Sequence, residues 1–293
     1  MRLAQFGSSP EESWAAVVDG DAAIRLSTAA AAAGVDLPDD AVGVLDQWRW
    51  REKVDLAVEC ARETGVGRHD RADLTRRAPV ADPGKVVCVG LNYRDHAEES
   101  GGDPPEEPVL FSKFPTSVVG PAADVAWDPD LTSAVDYEAE LVAVVGDRAR
   151  NVSESEALDH VAGYTVGNDV SARDLQFADD QWVRGKSLDT FAPLGPDVVT
   201  PDEVGDVDDL DIWAEVNGER LQDSNTRQLL FDVAELVAFC SRAFTLEPGD
   251  LLFTGTPAGV GYFRDPKVLL DDGDTVSVGV EGIGELTNAC RHV

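Results

Sequence analysis

The chain has 293 residues, of which 43% are hydrophobic and 27% are charged, so it can build a large core and is not globally disordered. Its 56 acidic and 24 basic residues give a formal net charge of −32. A surface of this charge repels nucleic-acid phosphates and anionic lipids, which excludes both as expected partners.

The N-terminal part, residues 1–80, is predicted to form a small α+β domain. A hairpin is expected where residues 13–18 and 22–26 flank the turn-forming sequence DGD. Helical segments follow around residues 28–33 and 45–63, and each is ended by a glycine. The passage RHDRADLTRRAPVADPG then leads to the second part of the chain. Its arginines are expected to form ion pairs rather than a binding patch, because the rest of the protein is strongly negative.

The second part, residues 84–293, consists mainly of short runs rich in β-branched residues, which predict strands. These runs cover residues 86–90, 108–113, 139–146, 163–171, 250–255, 275–282 and 284–290. Asn217-Gly218 predicts a type I′ hairpin turn. Helices are expected over 153–163, which begins with a capping-box pattern, and over 231–244. Many short strands and few helices predict an α+β fold that is predominantly β.

Lysine is scarce, since only five of the basic residues are lysines. Acid enrichment with lysine depletion is typical of a cytosolic protein from an organism that balances external brine with internal salt. At molar salt the Debye length is only ~3 Å, so repulsion among the surface carboxylates is largely screened. An ordinary acidic protein is the alternative. The four cysteines form no CxxC pair, so free thiols are expected. Because no apolar leader or 18-residue apolar run is present, we expect a cytoplasmic location and no membrane span.

Two glutamates lie in the sequence DYEAE, which leads into an apolar strand. On a strand, Glu138 and Glu140 project from the same face about 7 Å apart. Two such carboxylates are costly unless they are solvated or share a cation, and Mg²⁺, Mn²⁺ or Ca²⁺ would accept their oxygens. A solvated acidic strand edge is the alternative. Asp169, which closes another apolar strand, is a third acid of interest.

A lysine and a histidine also stand out. Lys186 is expected to serve chemistry because a general surface cation in this chain would be arginine; an ordinary ion pair is the alternative. His96 and Glu99 are three residues apart, so they are neighbours if the segment is helical. A carboxylate beside an imidazole can orient it as a general base, although such a pair is also common on surfaces. The loop TGTPAGVG lacks the ending of a P-loop, which disfavours nucleotide binding.

Taken in order, these elements resemble the fumarylacetoacetate hydrolase family over residues 85–291. The motifs that carry the resemblance are VVCVGLNYRDHAEE, EPVLFSK, DYEAELVAVVG, GYTVGNDVSARDLQ, GKSLDTFAPLGP, VNGE and GDLLFTGTPAGVG. The resemblance implies a mixed β-sandwich roll, a homodimer, and one Mg²⁺ or Mn²⁺ per subunit. The first 80 residues look similar to the small extra domain of longer members. GLNYRDH resembles the acylpyruvase, isomerase and sugar-acid branches rather than the enzymes that cleave fumarylacetoacetate itself.

The resemblance also implies roles for individual residues. It assigns the metal ligands to Glu138, Glu140 and Asp169 and a water-activating dyad, carried on a lid, to His96 and Glu99. Substrate binding and polarisation fall to Lys186, and further substrate contacts to Arg173, Gln176 and Thr256. The segment ESGGDPPEEP, residues 99–108, is expected to close over the substrate.

The predicted reaction is metal-dependent hydrolysis of the C3–C4 bond of a 2,4-dioxo acid, either an acylpyruvate or a 2,4-dioxo-3-deoxy sugar acid, with release of pyruvate. One alternative is isomerisation or decarboxylation of a hydroxymuconate-type 2-oxo diacid. Another is dehydration of a 2-oxo-3-deoxy sugar acid, and a more distant one is a non-catalytic binding protein. All the catalytic alternatives use stabilisation of an enolate next to a 2-oxo group.

Overall fold

The computed structural model describes residues 1–9, 12–101 and 103–293. Their strands are β1 (Arg2–Phe6), β2 (Trp14–Asp19), β3 (Ala22–Arg25), β4 (Arg68–Asp70), β5 (Arg76–Arg77), β6 (Val86–Gly90), β7 (Val109–Lys113), β8 (Val118–Val119), β9 (Val125–Trp127), β10 (Val135–Asp136), β11 (Ala139–Val145), β12 (Val161–Asn168), β13 (Ser171–Ala172), β14 (Ala192–Val199), β15 (Asp211–Val216), β16 (Glu219–Asn225), β17 (Leu251–Phe253), β18 (Thr275–Val280) and β19 (Gly284–His292). Their α-helices are α1 (Leu26–Ala32), α2 (Ala41–Leu45), α3 (Trp50–Thr64), α4 (Arg94–Ser100), α5 (Glu154–Ala157), α6 (Arg173–Ala178), α7 (Val183–Lys186), α8 (Pro201–Val204) and α9 (Val233–Ala243). The expectation of an α+β fold that is predominantly β is confirmed.

The strands form two main sheets. The larger runs in the order β4-β3-β2-β1-β14-β12-β11-β17-β6-β7, with β5 beside β1 and β8 beside β14. The smaller runs in the order β16-β15-β18-β19-β9. Two short strands, β10 and β13, pair separately and bring Asp136 opposite Ser171.

Strand β11 lies inside the larger sheet and separates two apolar cores. Its alternate residues Leu141 and Ala143 belong to the core shared with the smaller sheet and α9. Val142 and Val144 belong to the core shared with α1, α3 and the N-terminal strands. Every residue of β11 is therefore buried, and this explains why its sequence is apolar except for Glu140.

The local predictions are largely confirmed. The hairpin forms as β2 and β3, and the Asn217-Gly218 turn has both residues at positive φ, as a type I′ turn requires. The capping box at Ser153 and Glu156 is present, although α5 has only one turn. The helix predicted from residue 45 instead begins at Trp50, because Arg49 takes a left-handed conformation with φ of 57°.

The N-terminal strands join the larger sheet through antiparallel pairing of β1 with β14. Because they share a sheet and a core with later strands, residues 1–80 pack as part of one continuous structure; the boundary between two domains stays a prediction. No helix in the described ranges is long and apolar enough to cross a membrane. A homodimer and a cytoplasmic location stay predictions.

Candidate active site

The three predicted metal-binding carboxylates converge at one edge of the larger sheet. Ala139 of β11 is paired with Asn168 of β12, so the start of β11 lies beside the end of β12. This register places Glu138, Glu140 and Asp169 together, with one oxygen of each within 4.8 Å of the others. All three are at most 5% exposed. One cation could therefore contact all three carboxylates at once.

Two buried lysines contact this acid triad. The Nζ atom of Lys186 donates to Oε2 of Glu138 over 2.6 Å and to Oδ2 of Asp169 over 2.8 Å. The Nζ atom of Lys113 donates to Oδ1 of Asp169 over 2.5 Å and to the carbonyl oxygen of Val170. Both oxygens of Asp169 are thus held. Sequence reasoning missed Lys113, although the lysine scarcity that drew attention to Lys186 applied equally to it.

A second residue that sequence reasoning missed, Asp136, anchors Arg173. Asp136 is completely buried and accepts hydrogen bonds from the backbone N–H groups of Gly261 and Tyr262. The Nε of Arg173 donates to Oδ2 of Asp136 over 2.9 Å, and its Nη2 lies 2.6 Å from Oε1 of Glu138. Burial raises the pKa of Asp136 although Arg173 opposes the shift. Arg173 is therefore fixed by two carboxylates, and its Nη1 donates to Oε1 of Gln176.

The two glutamates of the triad differ electrostatically. Burial opposes ionisation of Glu138, but the charges of Arg173 and Lys186 outweigh it and hold the pKa below the usual range. Burial and the charges of Asp169 and Glu138 raise the pKa of Glu140 well above its usual range. The backbone N–H of Gly255 donates a hydrogen bond to Oε2 of Glu140 over 2.7 Å. Glu140 thus lacks a cationic partner among the described residues, and a divalent cation would supply one. The donor set, three buried carboxylates, fits Mg²⁺ or Mn²⁺.

The backbone approach to Glu140 requires a glycine. Gly255 has φ of 101°, and a Cβ at this position would lie 2.9 Å from Cβ of Asn92. Asn92 holds the same loop, because its Nδ2 donates to the carbonyl oxygens of Thr254 and Phe231. The following Thr256 accepts a hydrogen bond at Oγ1 from Nε2 of Gln222 over 2.8 Å, which leaves its own proton for another acceptor.

The predicted histidine and glutamate pair also forms. Helix α4 begins at Arg94 and brings Nδ1 of His96 to 3.3 Å from Oε2 of Glu99. The backbone N–H of Gly259 donates to both carboxylate oxygens of Glu99, over 3.0 and 3.1 Å, so this side chain is held in place. With Nδ1 directed to Glu99, Nε2 of His96 has no hydrogen-bond partner within the described part of the chain. Of the predicted lid, residues 99–108, Gly102 lies outside the described residues, and its closure stays a prediction.

A single cavity of about 200 Å³ collects these groups. Every predicted site residue except Glu99, which lies behind His96, borders it. The lining combines the acid triad, its cations and several aromatic side chains: Val89, Gly90, Leu91, His96, Ser100, Phe111, Glu138, Glu140, Asp169, Arg173, Gln176, Phe177, Trp182, Lys186, Thr256 and Phe263. The structure thus brings the predicted residues together, whereas their individual roles stay predictions.

Several known proteins are similar to this chain in sequence or structure. Oxaloacetate tautomerase fahd2, mitochondrial, from Xenopus laevis is 46% identical over 220 residues, which are 74% of this chain and 69% of that protein. The structure of 5-carboxymethyl-2-hydroxymuconate delta-isomerase from Mycobacterium smegmatis is 37% identical and has a TM-score of 0.77, and the match covers 100% of this chain and 99% of that chain.

A third relative is a solved structure with ligands. Maleylpyruvate hydrolase from Sphingobium sp. SYK-6, in complex with manganese (II) ion and pyruvate, is 29% identical and has a TM-score of 0.79. The match covers 100% of this chain and 99% of that chain. The profile of the fumarylacetoacetate (FAA) hydrolase C-terminal domain matches residues 85–291, the same range over which the motifs of the sequence resemble that family. The chain therefore belongs to the fumarylacetoacetate hydrolase family of enzymes.

Proposed function

We propose that this protein catalyses metal-assisted keto–enol interconversion of a 2-oxo acid, with transfer of a proton at C3. The observation that carries the proposal is the placement of His96 and the acid triad on the walls of one cavity of about 200 Å³. Such a cavity can hold a small acid between a cation site and a proton acceptor. The names of the tautomerase and the isomerase among the relatives support the same reaction class.

The acid triad would hold one Mg²⁺ or Mn²⁺, and Lys113 and Lys186 would keep Asp169 in place for it. When bound, such a cation supplies a Lewis acid for the carboxylate and 2-oxo oxygens of the substrate. The manganese in the hydrolase structure supports this choice of ion.

The protein's own side chains account for the proton transfer. Glu99 accepts a hydrogen bond from Nδ1 of His96, which leaves a lone pair on Nε2. We propose that Nε2 takes the proton from C3 of the keto form and that the resulting imidazolium gives it to the 2-oxo oxygen to form the enol; in the reverse direction Nε2 takes the proton from the enol hydroxyl and returns it to C3. Thr256 and Gln176, which line the same cavity, have free donors to orient the substrate carboxylate.

Hydrolysis of the C3–C4 bond of a 2,4-dioxo acid is the second candidate. The observation in its favour is the firm support of Glu99 by the N–H of Gly259, since a fixed His–Glu pair can also deprotonate a water molecule. In that reaction, the hydroxide adds to C4, the C3–C4 bond breaks, and C3 takes up a proton, so that pyruvate and a second acid are released. The similarity to maleylpyruvate hydrolase supports this candidate.

Two assays on the protein with added Mg²⁺ or Mn²⁺ separate the candidates. Loss of the ultraviolet absorbance of the enol, followed separately for phenylpyruvate and for oxaloacetate, measures tautomerisation, and lactate dehydrogenase coupling on 2,4-dioxopentanoate measures pyruvate release. We expect acceleration in the first assay that disappears with EDTA. Acceleration in the second assay alone would favour hydrolysis, and acceleration in neither would contradict both candidates.

Substitution of the histidine tests its part in either reaction. His96→Ala is expected to lower kcat by ~10²–10⁴-fold, the contribution of a general base, with little change in metal affinity. Glu99→Ala should lower kcat less, because it removes only the orientation of the ring. His69→Ala, at an exposed position of β4, is the matched control and should keep full activity. Retention of the full rate by His96→Ala would contradict the assignment.

A further inference from the structure

Four aromatic side chains line the cavity together with the acid triad. Phe111 lies on β7, Phe177 on α6, Trp182 just before α7, and Phe263 in a short 3₁₀ turn. We call these residues the aromatic wall. Phe177 is 53% exposed and Phe263 is 38% exposed, so apolar surface remains open to a ligand.

The aromatic wall is braced by contacts on both flanks. The rings of Phe111 and Trp182 meet edge to face with centroids 5.4 Å apart. Phe177 contacts Tyr262 at 5.1 Å, and Tyr262 contacts Phe263 at 5.6 Å. These pairs fix the orientation of the rings around the cavity.

A glycine makes room for one part of this wall. A Cβ added to Gly90, the last residue of β6, would lie 2.6 Å from Cζ3 of Trp182. The indole therefore packs directly on the backbone, and any larger residue at this position would displace it. Close packing of this kind shows that Trp182 has a defined place beside the cavity.

The cationic side chains that line the cavity are already paired with carboxylates of the site. Lys186 and Arg173 each contact two carboxylates of the site. Together with Lys113 they face four buried carboxylates, those of the triad and Asp136, so the formal charge of these seven groups, with every one ionised, is about −1 before a cation binds. A divalent cation would change the net charge to about +1, which one substrate carboxylate neutralises. Among the residues that line the cavity, a second carboxylate would find no unpaired lysine or arginine.

We propose that the preferred substrate is a 2-oxo monocarboxylate that carries an apolar alkyl or aryl group on the C3 side, rather than a second carboxylate. This inference rests on the proposed function, which places the 2-oxo acid head at the triad. The aromatic wall then covers the rest of the molecule. Burial of an aryl group there is favourable, whereas burial of an unpaired carboxylate is costly.

Unreactive analogues test this preference without turnover. Oxalate presents the metal-binding head alone, N-phenyloxamate adds an aryl group, and N-oxalylglycine adds a carboxylate. We expect calorimetry on the protein with saturating MgCl₂ to show N-phenyloxamate binding at least ~10-fold more tightly than N-oxalylglycine. Equal or tighter binding of N-oxalylglycine, with oxalate still bound, would overturn this inference alone. Failure of oxalate to bind would instead contradict the proposed function.

Variants show whether the aromatic wall causes the preference. Trp182→Ala should weaken N-phenyloxamate by several-fold and leave oxalate binding unchanged. Phe177→Arg, at a half-exposed position, supplies the missing cation and should improve binding of N-oxalylglycine relative to N-phenyloxamate. Trp48→Ala, at a position 80% exposed and outside the cavity, is the control and should match the unmodified protein. An unchanged preference in both wall variants would overturn the inference.

Discussion

The buried ion pairs beside the cavity and the ion pairs on the surface can have the same N–O distance, but they differ in how far water reaches them. Lys186 and Asp169 are 2.8 Å apart with side chains at most 3% exposed. Arg62 and Asp19 are also 2.8 Å apart, but their side chains are 60% and 21% exposed. Water and salt screen the second pair, so it contributes less than about 1 kcal/mol, whereas removing one partner of a buried pair costs about 3–5 kcal/mol. Two ion pairs with the same N–O distance are therefore expected to respond very differently to mutation, because one is buried and the other is exposed.

The buried charges also form one connected network. Asp169 contacts two lysines, and Glu138 contacts both Lys186 and Arg173. Such a network holds the triad in a single arrangement before any ligand binds, which is how a site is preorganised for catalysis. The exposed pairs have no comparable geometric task, and salt can change their strength.

The largest effect is expected at the centre of the buried network. Asp169→Asn keeps the shape of the side chain but removes the charge that a metal and two lysines share. Because a bound metal contributes several kcal/mol to transition-state stabilisation, we expect kcat/KM to fall by at least ~10³-fold. Calorimetric titration with Mg²⁺ should show weaker binding as well. Asp189→Asn, at an exposed position near Lys186, is the control, and similar losses in both variants would contradict the assignment.

The next effect concerns stability. Lys113→Met leaves Oδ1 of Asp169 without its cation, so the free energy of unfolding should fall by about 3–5 kcal/mol in metal-free protein. Urea denaturation measures the change. Arg62→Met, which removes an exposed ion pair, should cost less than about 1 kcal/mol. Equal losses of stability in the two variants would contradict the claim that a buried ion pair contributes more than an exposed one.

The surface should respond to salt as a whole. The net charge of −32 predicts that thermal stability rises between low salt and molar KCl, because screening relieves repulsion among exposed carboxylates. Tm measured across a KCl series should increase by several degrees, with Na⁺ as a comparison cation. A Tm that stays constant from 0.1 M upward would contradict adaptation to high internal salt.

A smaller effect is expected where a buried acid has a partly exposed partner. Burial raises the pKa of Asp197 above its usual value, although Arg76 at 3.3 Å opposes the shift. The folded protein then keeps a proton that the unfolded chain releases, so this group lowers stability as the pH rises from the unfolded pKa through the folded one. Asp197→Asn should remove that slope, at most ~1.4 kcal/mol per pH unit. Unfolding in urea between pH 4 and 7 tests it, and parallel curves for the two proteins would contradict it.

Part of this site could be predicted from the sequence because its residues are close to strong local signals. Glu138 and Glu140 lie two residues apart at the start of the largely apolar strand β11, and Asp169 directly follows β12. Lys113 was predictable from the scarcity of lysine but was overlooked. The ion pair between Asp136 and Arg173 was not predictable, because it depends on the pairing of two strands of two residues each, far apart in the chain.

The same distinction holds for the fold. The positions of most strands can be predicted from runs of β-branched residues and from glycine-containing turns, because these signals are local. The neighbours of each strand depend on tertiary packing, so the position of β1 beside β14 had no local signal. The aromatic wall was missed for the same reason: its four residues come from four separate segments and become neighbours only when the sheet is complete.

The pairing of β1 with β14 has a consequence for synthesis on the ribosome. Leu3 pairs in register with Val198, so about 195 residues must be added before that partner exists. At a translation rate of roughly 5–20 residues per second, the edge of β1 that pairs with β14 stays without this partner for ~10–40 s. An unpaired strand edge can pair with another chain during that time. Nascent chains of this protein are therefore expected to need protection from aggregation until translation has passed residue 199.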